Sequence, residues 1–421
     1  MARIALVHDL LGGKAGGGGG ARAMLDLALD LRERGHDVIT VCHDFLPSYE
    51  FEQLSRRLQV RAVRTGVATP ATGHRARFER HLRGMKQVAD LVPDDVDVIN
   101  GHDWPALHAA RLAGRRTGAP VIWTRNDDIE WERTVIPSMT ASGGGRVSRI
   151  PAKLAVGLLD VHDARSADTI VVLSKHDAEM VRRAYRRRAT VIHPGPNQAF
   201  FHAATDRTAA RRRLGVAGGE FVVLAFALLM PYRRFEDLID AVAQLGDLPD
   251  VRLRLVGSDH INPAYGEVLQ ARIESRGLGE RAVLDRRSVS DSELRDLYAA
   301  SDLYVFPSAR QSYGLAPLEA IALRTPVVVS RGAGVHEVLE GLDGVSVVPP
   351  KCPDAIAAAI RHAHDNVDVA GLDRTRSRVQ SELTSERYAI AMETLISAAI
   401  ARRGSRRRTR PRRARPLHPV D

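Results

Sequence analysis

Two cysteines in 421 residues, Cys42 and Cys352, are too few and too far apart for a disulfide framework or a zinc site, and they suit a reducing compartment. Long apolar runs are missing as well. The longest, Phe221 to Met230, has ten residues, half of the roughly twenty that span a bilayer, so it reads as a buried strand. No signal-peptide core forms at the amino end, where Arg3, His8 and Asp9 interrupt the apolar residues. A cytoplasmic chain, soluble or at most peripheral at the inner face of a membrane, is expected. The body of the protein also lacks net charge. The formal charge is +10, but nine of the last twenty residues are arginine against one acid, Asp421, which leaves the rest nearly neutral. The high pI therefore belongs to a tail and does not mark the folded part as a specific nucleic-acid binder. That tail, rich in arginine and proline, is expected to be disordered. A solvated end, contact with anionic lipid and non-specific contact with nucleic acid remain open for it.

What is present alternates between two periods. Arg3 to His8, Val38 to Cys42, Val96 to Asn100, Val121 to Thr124 and Thr169 to Leu173 are short apolar runs, and Ala21 to Arg34 and Pro105 to Arg116 carry helical spacing between them. The pattern restarts with strands at 221–226, 251–256, 282–285, 303–306, 326–330 and 345–348, and helices at 235–245, 265–276, 291–300 and 317–323. Strands alternating with helices imply parallel sheets covered on both faces. The expected architecture is α/β with two Rossmann-like doubly wound domains facing across a cleft, 1–200 and 201–385. A closing helix, 386–403, follows, and then the tail, 404–421. Ligands of such sheets sit beyond the carboxyl ends of the strands.

Several segments at those ends carry chemistry. After the strand ending at Phe306, a loop with Gly314, Leu315 and Ala316 leads into a helix with Glu319 in its first turn. Free N–H groups there attract phosphate, and a carboxylate one turn in can accept from both hydroxyls of a ribose; a plain crossover would use the same glycine. Arg233 and Arg234 follow the strand 221–226, either as phosphate ligands, since guanidinium binds phosphate oxygens in pairs, or as solvated charge. His102 follows a strand, where a structural role is equally natural. The glycine run from Gly12 to Gly20, with Gly13 near its start, allows close approach of backbone to a ligand or forms a loose loop. Asp127 and Asp128 suggest a metal pair on composition alone.

The stretch Gln311-Ser-Tyr-Gly314-Leu-Ala-Pro-Leu-Glu319-Ala, followed by Pro326-Val-Val, resembles the signature of the family 4 retaining glycosyltransferases, which have the GT-B fold. Gln311 stands where the family has its first glutamate and Glu319 where it has the second. Met230-Pro-Tyr-Arg233-Arg234, with the Leu-Ile helix after it, is similar to the family's phosphate-binding segment: Arg233 falls on its lysine, Arg234 on a glycine, and Leu228 on an arginine. Asn100-Gly-His102-Asp103-Trp104 resembles its His-x-His segment, and Arg286-Arg287-Ser-Val-Ser290 the loop whose backbone meets the base. The resemblance implies transfer of a sugar from a UDP- or GDP-type donor to a small-molecule or lipid-linked acceptor, without cofactor or metal. It assigns the diphosphate to Arg233 and Arg234, with Gly13 and the amides of Gly314 to Ala316 against the donor. The ribose goes to Glu319, the base to the loop at Arg287, and the transferred sugar to His102 and Gln311. It moves Asp127 and Asp128 to the acceptor side or a loop cap. Two neutral residues in charged places, Leu228 and Gln311, keep a catalytically impaired paralogue with a binding role as the alternative. A dehydrogenase is disfavoured because the glycine run begins too late after the first strand.

Overall fold

The computed structural model describes residues 1–12, 18–46, 56–65, 74–126, 150–202, 205–366 and 368–409. The first part of the chain forms β1 (Arg3–Gly12), α1 (Gly18–Glu33), β2 (Asp37–Leu46), β3 (Gln59–Thr65), α2 (His74–Leu91), β4 (Val98–His102), α3 (Asp103–Thr117), β5 (Val121–Arg125), α4 (Ile150–Ser166), β6 (Thr169–Val172), α5 (Lys175–Tyr185) and β7 (Thr190–Val191). After α6 (Ala199–His202) and α7 (Arg207–Arg213) come β8 (Phe221–Phe226), α8 (Phe235–Ala243), β9 (Val251–Val256), α9 (Pro263–Ser275), β10 (Ala282–Asp285), α10 (Asp291–Ala300), β11 (Leu303–Phe306), α11 (Ala316–Ala322), β12 (Val327–Ser330), α12 (His336–Leu339) and β13 (Val345–Val348). Three helices close the described chain: α13 (Pro353–Asp365), α14 (Val369–Glu382) and α15 (Ser385–Thr409).

The strands assemble into two parallel sheets, ordered β3-β2-β1-β4-β5-β6-β7 and β10-β9-β8-β11-β12-β13. Each order reverses once, between β1 and β4 and between β8 and β11. Crossover helices leave in opposite directions there, so a crevice opens at the carboxyl ends of those strands. The central strands are apolar on both faces: Ile4 and Leu6 of β1 pack on α1 through Met24 and Leu27, and Ala5 and Val7 pack on the opposite side with Ile99 and Ala106.

The sequence patterns miss some elements and misplace some ends. β1 runs four residues past His8, and Gly18 to Gly20, expected in a loop, open α1, where a Cβ at Gly20 would stand 2.8 Å from Asn126 Cβ. β3 is mostly exposed and α4 weakly patterned, so both leave little periodic signal; α2 is also missed. α15 continues to Thr409, so residues 404–409, expected in the disordered tail, extend the helix; arginine is a strong helix former. Residues 410–421 of the tail lie outside the described residues. Among the described residues no helix is long and apolar enough to cross a membrane.

α15 returns to the first domain. Its Glu393 accepts from Arg34 Nε at 2.6 Å and lies 3.0 Å from His36 Nε2, and its buried Tyr388, Met392 and Ile396 join the apolar cluster under α1. Two acids of the second domain also reach the first. Glu337 of α12 accepts the backbone N–H groups of Lys175 (2.8 Å) and His176 (3.0 Å) at the start of α5, a carboxylate at a helix N-terminus supplied by the other domain. Asp291, first residue of α10, takes both Nη groups of Arg22 on α1, each at 2.6 Å.

Burial pushes the Asp291 carboxyl up, and the paired Arg22 more than reverses this, so it titrates below its ordinary value. A depressed folded pKa means that the pair acts fully above the unfolded value, near pH 4, and is lost as pH falls through the folded one. With side chains 34% and 39% exposed, the pair is worth about 1 kcal/mol after screening. Arg22→Ala is therefore expected to widen the cleft, raising the radius of gyration in small-angle X-ray scattering at pH 7 while far-UV circular dichroism stays constant. Wild-type protein should approach the variant's value only below about pH 4. Equal radii at pH 7 would contradict a role for the pair in closure.

Candidate functional site

The residues singled out from sequence gather at the two reversal points. On the first domain, β4 is buried throughout and ends at His102, 1% exposed. Asn100 is tied inside the sheet, its amide donating to Ile122 O (3.2 Å) and Thr124 Oγ1 (2.9 Å). Asp103 follows with φ +65°, a left-handed backbone that costs a residue with a Cβ. Its environment holds it there. Trp123 Nε1 donates to its carbonyl (3.2 Å), the Asn126 backbone N–H to Oδ1 (2.7 Å), and the Asn126 side-chain amide to Oδ2 (3.1 Å). His8 Nε2 lies 3.6 Å from Oδ2. Burial alone would raise the Asp103 carboxyl, but His8 and Asn126 outweigh it and hold it down at about 2. His102 is driven the other way: burial, reinforced by His8 and opposed by Asp103, lowers it to about 3, so the ring is neutral at physiological pH. Tyr388 of α15 hydrogen-bonds Thr124 on β5 beside this cluster, so the closing helix forms part of the site's support.

On the second domain, β8 leads into a single 3-10 turn, Pro231–Arg233. The Arg233 guanidinium lies over the rings of Tyr232 (4.9 Å) and Phe306 (5.4 Å), with Nη1 3.4 Å from Ser308 Oγ. Its Nε is buried and has no hydrogen-bond partner among the described residues. Arg234 is differently placed. With φ +56° it turns back onto its own helix, pairing with Asp237 (2.8 and 2.5 Å) and Glu236 (2.6 Å). Its charge is thus neutralised by α8, where the sequence expectation had it beside the diphosphate. Leu228 is half-buried and adds no charge.

Beyond β11, Gln311 is pinned through its backbone: its N–H donates to Gly332 O (2.9 Å) and its carbonyl accepts from Gly334 N (3.0 Å). Gly314 takes φ +105°, and a Cβ there would stand 2.7 Å from the Phe306 ring, so the turn requires glycine. Leu315 and Ala316 then open α11, and Glu319 lies in its first turn, buried, accepting from Tyr298 Oη at 3.1 Å. Burial pushes the Glu319 carboxyl up; Arg22 and Tyr298 pull it part of the way back. Arg22 thus carries a cation from the first domain to the rim of the second domain's carboxylate. Arg287 pairs with Asp285 (2.9 Å) and Glu293 at the start of α10, its side chain committed to those acids. Gly13, Asp127 and Asp128 lie outside the described residues.

Sequence reasoning did not single out Arg22, Asp103, Asn126 or Tyr298. Asn126 and Asp103 had one usable signal: each follows directly on an apolar strand, at the carboxyl end where ligands bind. Arg22 was detectable as a charge among Ala21, Met24 and Leu25 on the buried stripe of α1. Tyr298 had none, because its helix reads as ordinary core.

Two family models match. Residues 17–199 match "Glycosyltransferase Family 4" and residues 206–372 match "Glycosyl transferases group 1". A D-inositol 3-phosphate glycosyltransferase of Streptomyces avermitilis is 28% identical over 295 residues, 67% of this chain and 61% of that protein. The protein of the same name from Thermobispora bispora is 28% identical over 72% of each chain. The crystal structure of Anabaena Alr3699/HepE in complex with UDP superposes with a TM-score of 0.72 at 22% identity, covering 94% of this chain and all of that one. The alignments with the first relatives thus span about three fifths of their length. With two parallel α/β domains joined by a returning helix, and with both halves matched in order, the chain belongs to the group 1, family 4 glycosyltransferases of GT-B fold.

Proposed function

We propose that the chain transfers a sugar from a uridine diphosphate sugar to an acceptor hydroxyl with retention of anomeric configuration. The observation that carries this reading is Arg233, a guanidinium with a buried, unpartnered Nε beside Ser308, at the reversal point of the second sheet. The buried carboxylate of Glu319 follows on the adjoining helix. A leaving nucleoside diphosphate needs its charge met by donors already in place. Arg233 and the amides of Gly314, Leu315 and Ala316 supply them, so neither metal nor cofactor is required. Glu319 accepts from the ribose hydroxyls, which replace the water its burial excludes. The uridine assignment is supported by the HepE complex with UDP, and the loop at Arg287 would face the base. The acceptor is a small polar molecule or a lipid-linked sugar; the names of the relatives favour a phosphorylated polyol.

In the transfer, the bond from the anomeric carbon to the diphosphate oxygen breaks and one to the acceptor oxygen forms on the same face. The acceptor proton passes to the departing phosphate oxygen, so nucleoside diphosphate and glycoside are the products. His102 and Gln311 would hold the transferred sugar. Closure of the cleft keeps water from competing as acceptor.

Arg233→Ala should lower kcat/KM for nucleotide release from a UDP-sugar by roughly 100-fold or more, the usual cost of one transition-state donor, with an unchanged unfolding profile. Glu319→Ala should weaken UDP binding in calorimetry by about tenfold or more, since two hydrogen bonds to a charged group are lost. Wild-type turnover in Arg233→Ala would sink the assignment. Tighter binding of GDP than UDP would move the donor to the guanine series.

A further inference from the structure

The two nitrogens of the His102 ring have different surroundings. Nδ1 lies 3.4 Å from the side-chain nitrogen of Asn126, while Nε2 is buried and has no hydrogen-bond partner among the described residues. Which hydrogen sits where follows from Asp103. An ionised carboxylate only accepts, so the nitrogen end of the Asn126 amide must face Asp103 Oδ2, 3.1 Å away. The second hydrogen of that same nitrogen is left for His102 Nδ1, which must then present its lone pair. A neutral imidazole with a lone pair on Nδ1 carries its proton on Nε2.

The neighbours reinforce this. The Asn126 backbone N–H donates to the other Asp103 oxygen at 2.7 Å, so residue 126 is gripped at two points. Gly20 in the first turn of α1 lies so close that a Cβ there would stand 2.8 Å from Asn126 Cβ. His8 is locked in the same sense: its Nδ1 accepts the Leu10 N–H at 3.2 Å, leaving its own proton on the Nε2 that faces Asp103. The titratable groups around His102 are thus His8 from β1, Asp103 from α3 and, beyond Asp103, Tyr388 from α15.

We propose that Asp103 and Asn126 form a positioning relay that locks His102 as the Nε2–H tautomer, making it a hydrogen-bond donor to an oxygen of the transferred sugar and excluding it as a base. The clause about the sugar rests on the proposed function; the tautomer does not. A buried N–H without an acceptor is costly, and a lone-pair oxygen, as on a sugar hydroxyl, relieves that cost on binding. Burial keeps the ring neutral, so it donates over the whole physiological range. Asp103 maintains its left-handed backbone to hold the carboxylate at this point.

The test is a long-range 1H–15N correlation spectrum of the full chain with labelled histidine, His102 being assigned by His102→Gln. Wild-type protein should show His102 as Nε2–H, without titration, from pH 5 to pH 9. Asn126→Ala should give a mixture of tautomers and lower kcat about tenfold, the worth of one hydrogen bond, with KM for the donor little changed. Asp103→Asn, which keeps the shape, should loosen the lock in the same direction. His102→Gln, which keeps an N–H donor, should be about tenfold more active than His102→Ala. An Nδ1–H ring, or titration between pH 5 and pH 8 in wild-type protein, overturns the lock. Full transfer by His102→Ala with the Nε2–H spectrum intact overturns instead the placement of the sugar at His102.

Discussion

Two parallel sheets can serve one ligand only if their carboxyl edges are kept facing each other, and the rest of this structure follows from that constraint. Neither sheet carries all of the candidate site residues. The first supplies a neutral histidine and the second an arginine, a glycine turn and a carboxylate. What joins them is a small set of polar contacts at the mouth, Arg22 with Asp291 and Glu337 with the start of α5, around an apolar cluster that runs through Phe200, Phe201 and α15. The polar contacts are exposed or part-buried, and each is individually weak. The apolar cluster is continuous across both domains.

Within the site, charge is placed by burial and then corrected by donors. Asp103 and Glu319 are both buried carboxylates, yet they move in opposite directions from the ordinary value. Asp103 has N–H donors of fixed geometry on its oxygens and stays ionised. Glu319 has one hydroxyl and a cation from the other domain, which is not enough to cancel its burial. A carboxylate short of donors is suited to receive hydroxyl groups from a ligand; one already saturated is suited to hold protein groups still. The same comparison separates the two neighbouring arginines: Arg234 is consumed by acids on its own helix and Arg233 is not.

Much of this was legible in the sequence. The strand–helix alternation of the second domain survives almost residue for residue, because its central strands are largely buried apolar runs. The positions of His102, Arg233, Gly314 and Glu319 after strands could be read for the same reason. The edge strand β3 and helix α4 could not, since the first is mostly exposed and the second carries no clear helical period. The pairing of Arg234 could not be read, because sequence shows that a cation is present but not which acid will pair with it; Asp237 and Glu236 are three and two residues away and do so. Asn126 and Asp103 escaped because their roles lie in hydrogen-bond geometry between residues 23 apart, which no local pattern records.

The connection between the domains has a mechanical side. The chain passes from the first domain to the second near Pro196 and returns at Ser385, and those two crossings are hydrogen-bonded to each other, Ser385 N–H to Pro196 O at 3.2 Å. A single strand would let one half swivel freely about the other. Two strands fastened side by side resist twisting more than one strand would, so the paired crossings restrict how the two halves can rotate about each other.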